Sequence, residues 1–268
     1  MHVAPAEFRS VRNDGLTLRF AILGPVSYVL AELPPGGSAG TLLEDPCDRQ
    51  HWAFVVDGEV ELESGSRRWS IPSGSAFFVP GSLPHRIRSA GAARIAGFER
   101  LEPGRDVSDE RLEADGYEFV RGRPGAQPRA VVPRVGPGQL AAEPGEVATE
   151  GVPMGDLVMC QTRFGSRSGF ASPFCDVEHW GLVTAGSMAI EWEDDIEVLT
   201  AGDVFFCPPG PPGHRFTAAD PAASIDFTPL AAFDGAARLV DWRRNVTAAV
   251  RSRRRQRGAA AVEIAALR

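Results

Sequence analysis

The sequence repeats itself at a spacing of 128 residues. Cys47-Asp48-Arg49-Gln50-His51-Trp52 matches Cys175-Asp176-Val177-Glu178-His179-Trp180, so the cysteine and the histidine both recur 128 positions later (175 − 47 and 179 − 51). The same spacing relates several glycines, aromatic pairs and prolines, namely Gly58 and Gly186, Gly74 and Gly202, Phe77-Phe78 and Phe205-Phe206, and Pro80 and Pro208. Chance does not keep one register over this length, so the chain is a duplication of one fold.

Each half has the pattern of short β-strands. Segments 53–62 and 181–192 alternate in polarity, are rich in β-branched and apolar residues, and each contain a turn signal ending in glycine. Many short strands separated by such turns predict an all-β sandwich or small barrel in each half. The first strands of the halves also align at the spacing of 128, so that Tyr28–Leu33 is expected to correspond to Asp156–Gln161.

Composition divides the chain into segments. Residues 121–150 are rich in Pro and Gly and predict a linker. Residues 233–268 are mostly helix formers with apolar residues spaced for one helical face, which predicts a helical tail. We therefore expect an N-terminal barrel over 1–120, a linker over 121–150, a C-terminal barrel over 151–232, and the tail. The arginine-rich run within the tail is interpreted as a solvated helix face, because the rest of the chain is acidic.

Charge and composition exclude several classes of function. The net charge of −7 and the sequence pI of 5.3 argue against a general affinity for nucleic acid or for anionic membranes. All 28 basic residues are Arg, and the absence of Lys excludes Schiff-base chemistry and a lysine general base. No segment is long enough for a transmembrane helix and residues 1–10 lack a signal-peptide pattern, so we expect a cytoplasmic protein. In that reducing compartment the four cysteines are expected to be free, buried or metal-bound.

The glycine, proline and histidine pattern resembles that of the cupin superfamily. The run from Gly74 to His85 resembles the second cupin motif, G-x5-P-x-G-x2-H, with Ser82 in place of its last glycine. Residues 202–214 resemble the same motif with one extra residue before His214. This resemblance covers nearly all of both halves and implies two tandem cupin barrels of the jelly-roll type in one chain, a bicupin.

The first cupin motif, H-x-H-x3-E-x6-G, is matched in spacing but not in residue type. His51 and His179 occupy its glutamate position, and Cys47 and Cys175 occupy its second-histidine position. The first-histidine position holds Asp45 in one half and a proline in the other. The resemblance therefore implies the cupin fold more strongly than any one cupin activity, because the family spans isomerases, dioxygenases, decarboxylases, sensors and storage proteins.

These departures still leave a candidate metal site in each barrel. Residues four apart on a strand share a face, so the cysteine and the histidine of each motif point the same way. The resemblance to cupins implies that this face is the barrel interior and that His85 or His214 enters it from a neighbouring strand. The candidate ligands are Cys47, His51 and His85 in the first barrel and Cys175, His179 and His214 in the second. Thiolate and imidazole ligands with an open fourth position suit zinc first and Fe(II) next, and disfavour Mg(II) and Mn(II). Asp45 is a candidate fourth ligand in the first barrel only.

Other interpretations of these residues stay open. An inward cysteine is commonly a small buried hydrophobe, an inward histidine is commonly a hydrogen-bonded core residue, and a thiolate beside a histidine can act as a nucleophile. We rank metal ligation first, because the pattern occurs twice and two histidines converge on each sulfur. Cys160 and Cys207 have no counterpart in the repeat and are expected to be core residues.

The sequence favours three functions in order. The first is a metal-dependent enzyme acting on a small organic molecule inside a barrel pocket, with a dioxygenase-type oxidoreductase ranked before an isomerase or cyclase. The second is a non-catalytic sensor or binding protein for a small ligand or a metal, and the third is a barrel that only braces its twin. We expect a small-molecule partner, neither nucleic acid nor membrane, and either a monomer with a pseudo-two-fold axis or a homodimer.

Overall fold

A computed structural model describes residues 2–3, 8–13, 15–38, 50–81, 83–103, 117–119, 129–131, 142–170 and 174–233. Regular structure in these ranges is β-strand, apart from a 3-10 helix at Leu230–Phe233, so the predicted all-β class is confirmed. Residues 234–268, which make up almost the whole predicted helical tail, lie outside the described ranges, as do Cys47 and Asp45. Within the described ranges, no helix has the length and hydropathy needed to cross a membrane.

The strands have the following bounds. Through residue 131 they are β1 His2–Val3, β2 Arg9–Asn13, β3 Leu16–Leu23, β4 Val26–Leu33, β5 His51–Asp57, β6 Glu59–Ser64, β7 Arg67–Pro72, β8 Ala76–Val79, β9 Arg86–Arg88, β10 Ala93–Pro103, β11 Tyr117–Phe119 and β12 Arg129–Val131. After residue 131 they are β13 Val147–Met154, β14 Leu157–Phe164, β15 Ser168–Gly169, β16 His179–Ala185, β17 Ser187–Trp192, β18 Ile196–Thr200, β19 Val204–Cys207, β20 His214–Ala218 and β21 Ala222–Pro229.

The chain divides into two compact units. One unit is residues 6–137, and the other is residues 1–5 together with 138–268. The predicted linker, 121–150, therefore contributes to both units: β12 pairs with β8 of the first, and β13 begins in the second. The N-terminal strand β1 is part of the second unit, where it pairs with β19.

The first unit is formed by two sheets around an apolar interior. One sheet has the order β12-β8-β5-β10-β4-β3-β2, with β11 paired to β10, and the other has the order β7-β6-β9. Val55, Leu62, Ile71 and Phe77 are fully buried between them. His51 shares a face of β5 with Val55, because alternate residues of a strand point the same way, so His51 faces this interior.

The second unit repeats this arrangement. Its sheets have the orders β1-β19-β16-β21-β14-β13 and β15-β20-β17-β18. Val183, Ile190, Leu199 and Phe205 are fully buried in its core. The strand pairs β5–β8 and β5–β10 of the first unit have direct counterparts in β16–β19 and β16–β21 of the second. The duplication predicted from the sequence is therefore a duplication of structure.

The glycine turn signals mark the strand boundaries as expected. Gly58 separates β5 from β6 with φ of 75°, and Gly186 separates β16 from β17 with φ of 69°. At these two glycines a Cβ would lie 2.3 Å from the Ala92 carbonyl oxygen and 2.2 Å from the Pro221 carbonyl oxygen, respectively. Both the left-handed backbone and the close approach of a second chain segment require glycine at these turns.

The alignment of the first strands was wrong by three residues. Gly97 of β10 pairs with Val29 of β4, whereas Asp226, at the equivalent position of β21, pairs with Cys160 of β14. The spacing between β4 and β14 is therefore 131 (160 − 29) instead of 128. The segment from the end of β4 at Leu33 to His51 is three residues longer than its counterpart in the second half, which accounts for the shift.

Candidate metal centre

The three candidate ligands of the second barrel come from three places in the chain. His179 begins β16. His214 begins β20, which belongs to the opposite sheet, whereas the sequence predicted that it would lie on a neighbouring strand. Cys175 lies just before β16 and forms an isolated bridge with His214. In this bridge the Cys175 N–H donates to the His214 carbonyl at 2.7 Å, and the His214 N–H donates to the Cys175 carbonyl at 2.8 Å.

The side chains of these residues converge. Cys175 Sγ lies 3.4 Å from His179 Nε2, and one donor atom from each of Cys175, His179 and His214 lies within 4.8 Å of the others. The two imidazole rings are edge to face, with centroids 5.1 Å apart. Both histidines are buried, whereas Cys175 is partly exposed. These are the donor types, the spacing and the burial of a divalent-metal site.

His214 gives the strongest indication that an ion belongs in the cluster. Its side chain is fully buried, and neither Nδ1 nor Nε2 has a hydrogen-bond partner among the described residues. Buried polar atoms in folded proteins are almost always satisfied, so an orphaned imidazole requires an explanation. A metal coordinated by one ring nitrogen supplies it, and the aromatic rings of Trp192 and Phe216 at 5.6 and 5.4 Å offer no such partner.

Asp226 completes the surroundings of His179, and sequence reasoning missed it. Its Oδ2 accepts a hydrogen bond from His179 Nδ1–H at 2.9 Å, and both side chains are more than nine-tenths buried. The residue lies on β21, outside the recognised motifs and 47 residues after His179. Its one sequence signal is a single acidic residue within the apolar run Ala222–Pro229.

These contacts set the protonation of the cluster. Burial alone would lower the pKa of His179, but the hydrogen bonds to Asp226 and Cys175 raise it to about 10. Burial alone would raise the pKa of Cys175, but the hydrogen bond and the charge of His179 outweigh burial and lower it. Burial and the charge of His179 lower the pKa of His214 to about 3, so His214 is neutral at pH 7 and able to act as a ligand.

The first barrel brings its two histidines together in the same way. His51 and His85 have ring centroids 5.0 Å apart at an angle of 78°, against 5.1 Å and 83° in the second barrel. His51 Nδ1 lies 2.6 Å from Glu99 Oε1, and His85 Nδ1 donates to the Leu83 carbonyl at 2.9 Å. Cys47, the third predicted ligand, and Asp45, the spare one, lie outside the described residues.

Two other cysteines are core residues, as expected. Cys207 is fully buried in the interior of the second barrel, where its backbone pairs with that of His179. Burial raises the pKa of the Cys207 thiol. Cys160 is also buried, and Cys175 and Cys207 are free thiols.

Comparison with known proteins agrees with this architecture. Residues 29–96, from β4 to β10 of the first barrel, match the Cupin domain family model. The first barrel contains a cupin domain. Both units have the cupin fold, and the matched range includes His51 and His85. A search of curated protein sequences gives no match.

Solved structures resemble the chain over both of its cupin barrels. AerE from Microcystis aeruginosa is 12% identical with a TM-score of 0.56, over 83% of this chain and 97% of AerE. A variant of the oxalate decarboxylase OxdC from Bacillus subtilis is 13% identical with a TM-score of 0.59, over 85% of this chain and 77% of the decarboxylase. The protein Ylba from E. coli is 11% identical with a TM-score of 0.56, over 85% and 89%. At these identities the likeness establishes the fold alone.

Proposed function

We propose that this two-barrel cupin protein is a metal-dependent enzyme that acts on a small organic molecule, with a divalent ion bound in the second barrel by Cys175, His179 and His214. The observation that carries the proposal is the His214 imidazole, which is buried beside a thiol and a second imidazole and has both nitrogens unpaired within the part of the chain that the structure describes. Protein ligands at three positions leave a fourth open for water or substrate, which is the pattern of catalytic rather than structural sites.

The donor set favours zinc, followed by Fe(II). Oxalate decarboxylase from Bacillus subtilis, which is similar in fold, has Mn(II) centres. Manganese prefers carboxylate, carbonyl and water oxygens, whereas the described cluster offers one sulfur and two imidazole nitrogens. The replacement of the usual cupin glutamate by a histidine therefore moves the preference of this chain away from manganese.

The residues around the cluster indicate how the site would be used. A divalent ion bound there would supply Lewis-acid or oxygen-activating chemistry. Phe216 and Trp192 contact the His214 ring and form an apolar wall that excludes water from one side. Trp192 is held in place by donating from Nε1 to Glu197 at 2.9 Å. An apolar wall with few polar groups suits a small organic substrate.

We rank an oxidoreductase of the dioxygenase type before an isomerase or cyclase. An imidazole-rich site with open coordination supports oxygen chemistry when it holds iron and Lewis-acid chemistry when it holds zinc. The non-catalytic sensor remains the alternative, and it requires the same metal but no turnover. The metal identity and a turnover assay therefore separate these options.

A second candidate function has its own supporting observation. Cys175, His179 and Asp226 are connected in the order thiol, imidazole, carboxylate, by contacts of 3.4 and 2.9 Å. This is the arrangement of a cysteine nucleophile with its base and orienting acid. That account gives no role to His214, whose two nitrogens have no partner in the described ranges, and we therefore rank it below metal binding.

Elemental analysis tests the proposal directly. Protein from metal-replete medium should contain zinc or iron, and His214→Ala should lose about one equivalent. Cys160→Ser alters a buried cysteine of the same barrel outside the cluster and should lose none. A parent protein with no more than a trace of any transition metal would contradict the metal proposal, and His214→Ala that keeps every equivalent would contradict its placement in the second barrel.

Catalysis is tested on the same proteins. Iron-loaded and zinc-loaded samples are assayed for oxygen uptake and product formation with a panel of small aromatic diols and short carboxylic acids. Turnover that disappears in His214→Ala supports the metal enzyme. Turnover that survives in folded His214→Ala but disappears in Cys175→Ser supports the cysteine nucleophile, and saturable binding without turnover supports the sensor.

A further inference from the structure

Each barrel places one buried carboxylate against the histidine that begins its central strand. In the second barrel Asp226 Oδ2 accepts from His179 Nδ1–H at 2.9 Å, and in the first Glu99 Oε1 lies 2.6 Å from His51 Nδ1. Both carboxylates are more than nine-tenths buried. Burying a carboxylate is unfavourable unless it is paired and hydrogen-bonded, so two such groups at matching histidines indicate a shared task.

The two carboxylates occupy different positions on equivalent strands. Gly97 of β10 pairs with Ala53, and Asp226 of β21 pairs with Gly181, which is 128 residues after Ala53. Gly97 of the first barrel is therefore equivalent to Asp226 of the second. Two residues further along each strand, Glu99 (97 + 2) is equivalent to Thr228 (226 + 2). The first barrel has Gly then Glu, and the second has Asp then Thr.

Side-chain length accounts for this exchange. The longer Glu99 reaches His51 from one position on the strand, and the shorter Asp226 reaches His179 from a position two residues earlier, on the same face of the sheet. Two different solutions that deliver a carboxylate oxygen to the same ring nitrogen are not expected from the packing of a duplicated core alone. They are expected if the contact with Nδ1 matters in both barrels.

The contact fixes which nitrogen of the imidazole points to the cluster. An ionised carboxylate only accepts hydrogen bonds, so the ring nitrogen facing it carries a proton. In the second barrel this leaves His179 Nε2, at 3.4 Å from Cys175 Sγ, as the nitrogen available to a shared ion. Metal-binding histidines commonly donate their other N–H to a carboxylate or a backbone carbonyl in this way.

An unpaired oxygen of Glu99 supports a role beyond stability. Glu99 Oε2 is buried and has no hydrogen-bond partner in the described part of the chain. A carboxylate kept only for folding would be costly in this state, because replacing it by an apolar residue would remove the desolvation penalty. Thr228, at the equivalent position of the second barrel, likewise has a buried Oγ1 that has no partner among the residues described.

We propose that Asp226 is a positioning residue, which holds Nε2 of His179 toward the metal, and that Glu99 orients the His51 ring in the same way from a different position on the equivalent strand. The inference rests on the proposed metal site and adds the residues that set its affinity. Removing such an orienting carboxylate weakens metal binding by about 10- to 100-fold.

The test uses Cys47→Ser protein, in which Cys175 of the second barrel is the one thiol left among the candidate ligands. Cobalt(II) is titrated into Cys47→Ser alone and combined with Asp226→Asn, and both the dissociation constant and the sulfur-to-cobalt charge-transfer band are recorded. Asn is close in shape to Asp, and Asp220→Asn makes the same charge change at an exposed residue before β21. We expect about 10- to 100-fold weaker binding and a changed band for Asp226→Asn, and no change for Asp220→Asn.

A transplant provides a rescue experiment. Asp226→Gly combined with Thr228→Glu gives the second barrel the arrangement of the first, and should bind cobalt more tightly than Asp226→Gly alone. Nitrogen NMR of the His179 ring in metal-free Asp226→Asn, compared with the parent, provides a readout that does not depend on the transplant folding: the Nδ1–H signal should shift, because its acceptor is no longer a carboxylate.

The outcomes separate the two proposals. Unchanged affinity, an unchanged band and an unchanged His179 ring in Asp226→Asn would overturn the positioning role while leaving the metal site in place. Failure of the parent and of Cys47→Ser to bind cobalt or zinc would overturn the metal site itself. An equal loss in Asp220→Asn and Asp226→Asn would reduce the effect to net charge and would also overturn the positioning role.

Discussion

Cys175 and His214 are joined by a pair of backbone hydrogen bonds, of 2.7 and 2.8 Å, although both contribute side chains to the same candidate metal centre. The bridge holds the backbone on either side of the cluster in position without using the sulfur or the imidazole. The backbone positions of these two ligands are therefore held by the fold itself, as is expected of a preorganised site.

The first prediction follows from this bridge. Cys175→Ser should keep its fold, because the backbone hydrogen bonds do not involve the sulfur, and its free energy of unfolding should change by no more than about 1 kcal/mol. Combined with Cys47→Ser, it should lose the sulfur-to-cobalt charge-transfer band of the Cys47→Ser protein, and its preference for zinc over manganese should decrease, because a hydroxyl is a harder ligand than a thiolate. Competition titrations with both metals measure the change. A Cys175→Ser protein with unchanged selectivity would show that the thiol is not a ligand.

The second prediction concerns protons. The pKa of His179 is raised to about 10, so the metal-free imidazole is protonated at pH 7, and an ion that binds Nε2 must displace that proton. We expect zinc binding at pH 7 to release about one proton from His179, together with any fraction still held by Cys175. Affinity should consequently fall as the pH is lowered.

Calorimetry in buffers of different ionisation enthalpy measures this proton release. The apparent binding enthalpy should change linearly with the buffer enthalpy, with a slope corresponding to between one and two protons. Asp226→Asn removes the carboxylate that helps to raise the pKa of His179, so its slope should be smaller. A slope of zero in the parent would show that His179 is not protonated before the metal binds.

Much of the fold follows from the sequence because repetition is visible without knowing the structure. The spacing of 128 residues aligned His51 with His179 and both glycine turns correctly, since the intervening strands have equal lengths in the two halves. The spacing of 128 failed before the ligand motif. There the equivalent residues Val29 and Cys160 are 131 positions apart (160 − 29), whereas the histidines are 128 apart. A repeat locates equivalent residues only as far as no insertion intervenes.

The site was predictable in part for the same reason. Cys175, His179 and His214 stand out as motif positions, and the structure brings them together. Asp226 and Glu99 do not stand out, because they lie at non-equivalent positions of the repeat and far along the chain from the histidines they contact. Only strand pairing brings them to the cluster, and pairing is a property of the folded sheet.

A third prediction concerns the strand that carries His179. Gly181 allows β21 to approach β16 closely: a Cβ there would lie 2.1 Å from the Ile225 carbonyl oxygen and 2.9 Å from the Asp226 Cα. Both are backbone atoms, so Gly181→Ala must displace β21 and should reduce the free energy of unfolding by about 1–3 kcal/mol, with weaker metal binding through the moved Asp226. Denaturant unfolding and cobalt titration measure both effects.

The matched control lies in the first barrel, where Ala53 is the equivalent of Gly181. Ala53→Gly removes a methyl group instead of adding one, so it creates no such conflict with the neighbouring strand. It should lower stability only by the smaller cost of a glycine in a strand and should leave the second barrel's metal affinity unchanged. Equal loss of metal affinity in both variants would show that the effect is not local to β21.

The last prediction uses stability to distinguish ligand histidines from core histidines. His214 is fully buried among aromatic rings, and its two nitrogens are unpaired as far as the structure describes the chain, so His214→Phe replaces unsatisfied polar atoms by apolar ones of similar shape. In metal-free protein this should raise the free energy of unfolding by about 1–3 kcal/mol, the penalty of an unsatisfied buried group. His179→Phe should instead lower it by about 3–5 kcal/mol, because it leaves the buried Asp226 carboxylate without its partner. Chemical denaturation with and without zinc measures both changes.

Zinc at 100 times its dissociation constant should stabilise the parent by about 2.7 kcal/mol through the second-barrel site, and His214→Phe should lose that gain. A His214→Phe protein that is less stable than the parent without metal, and equally stabilised by zinc, would show that this histidine is an ordinary core residue.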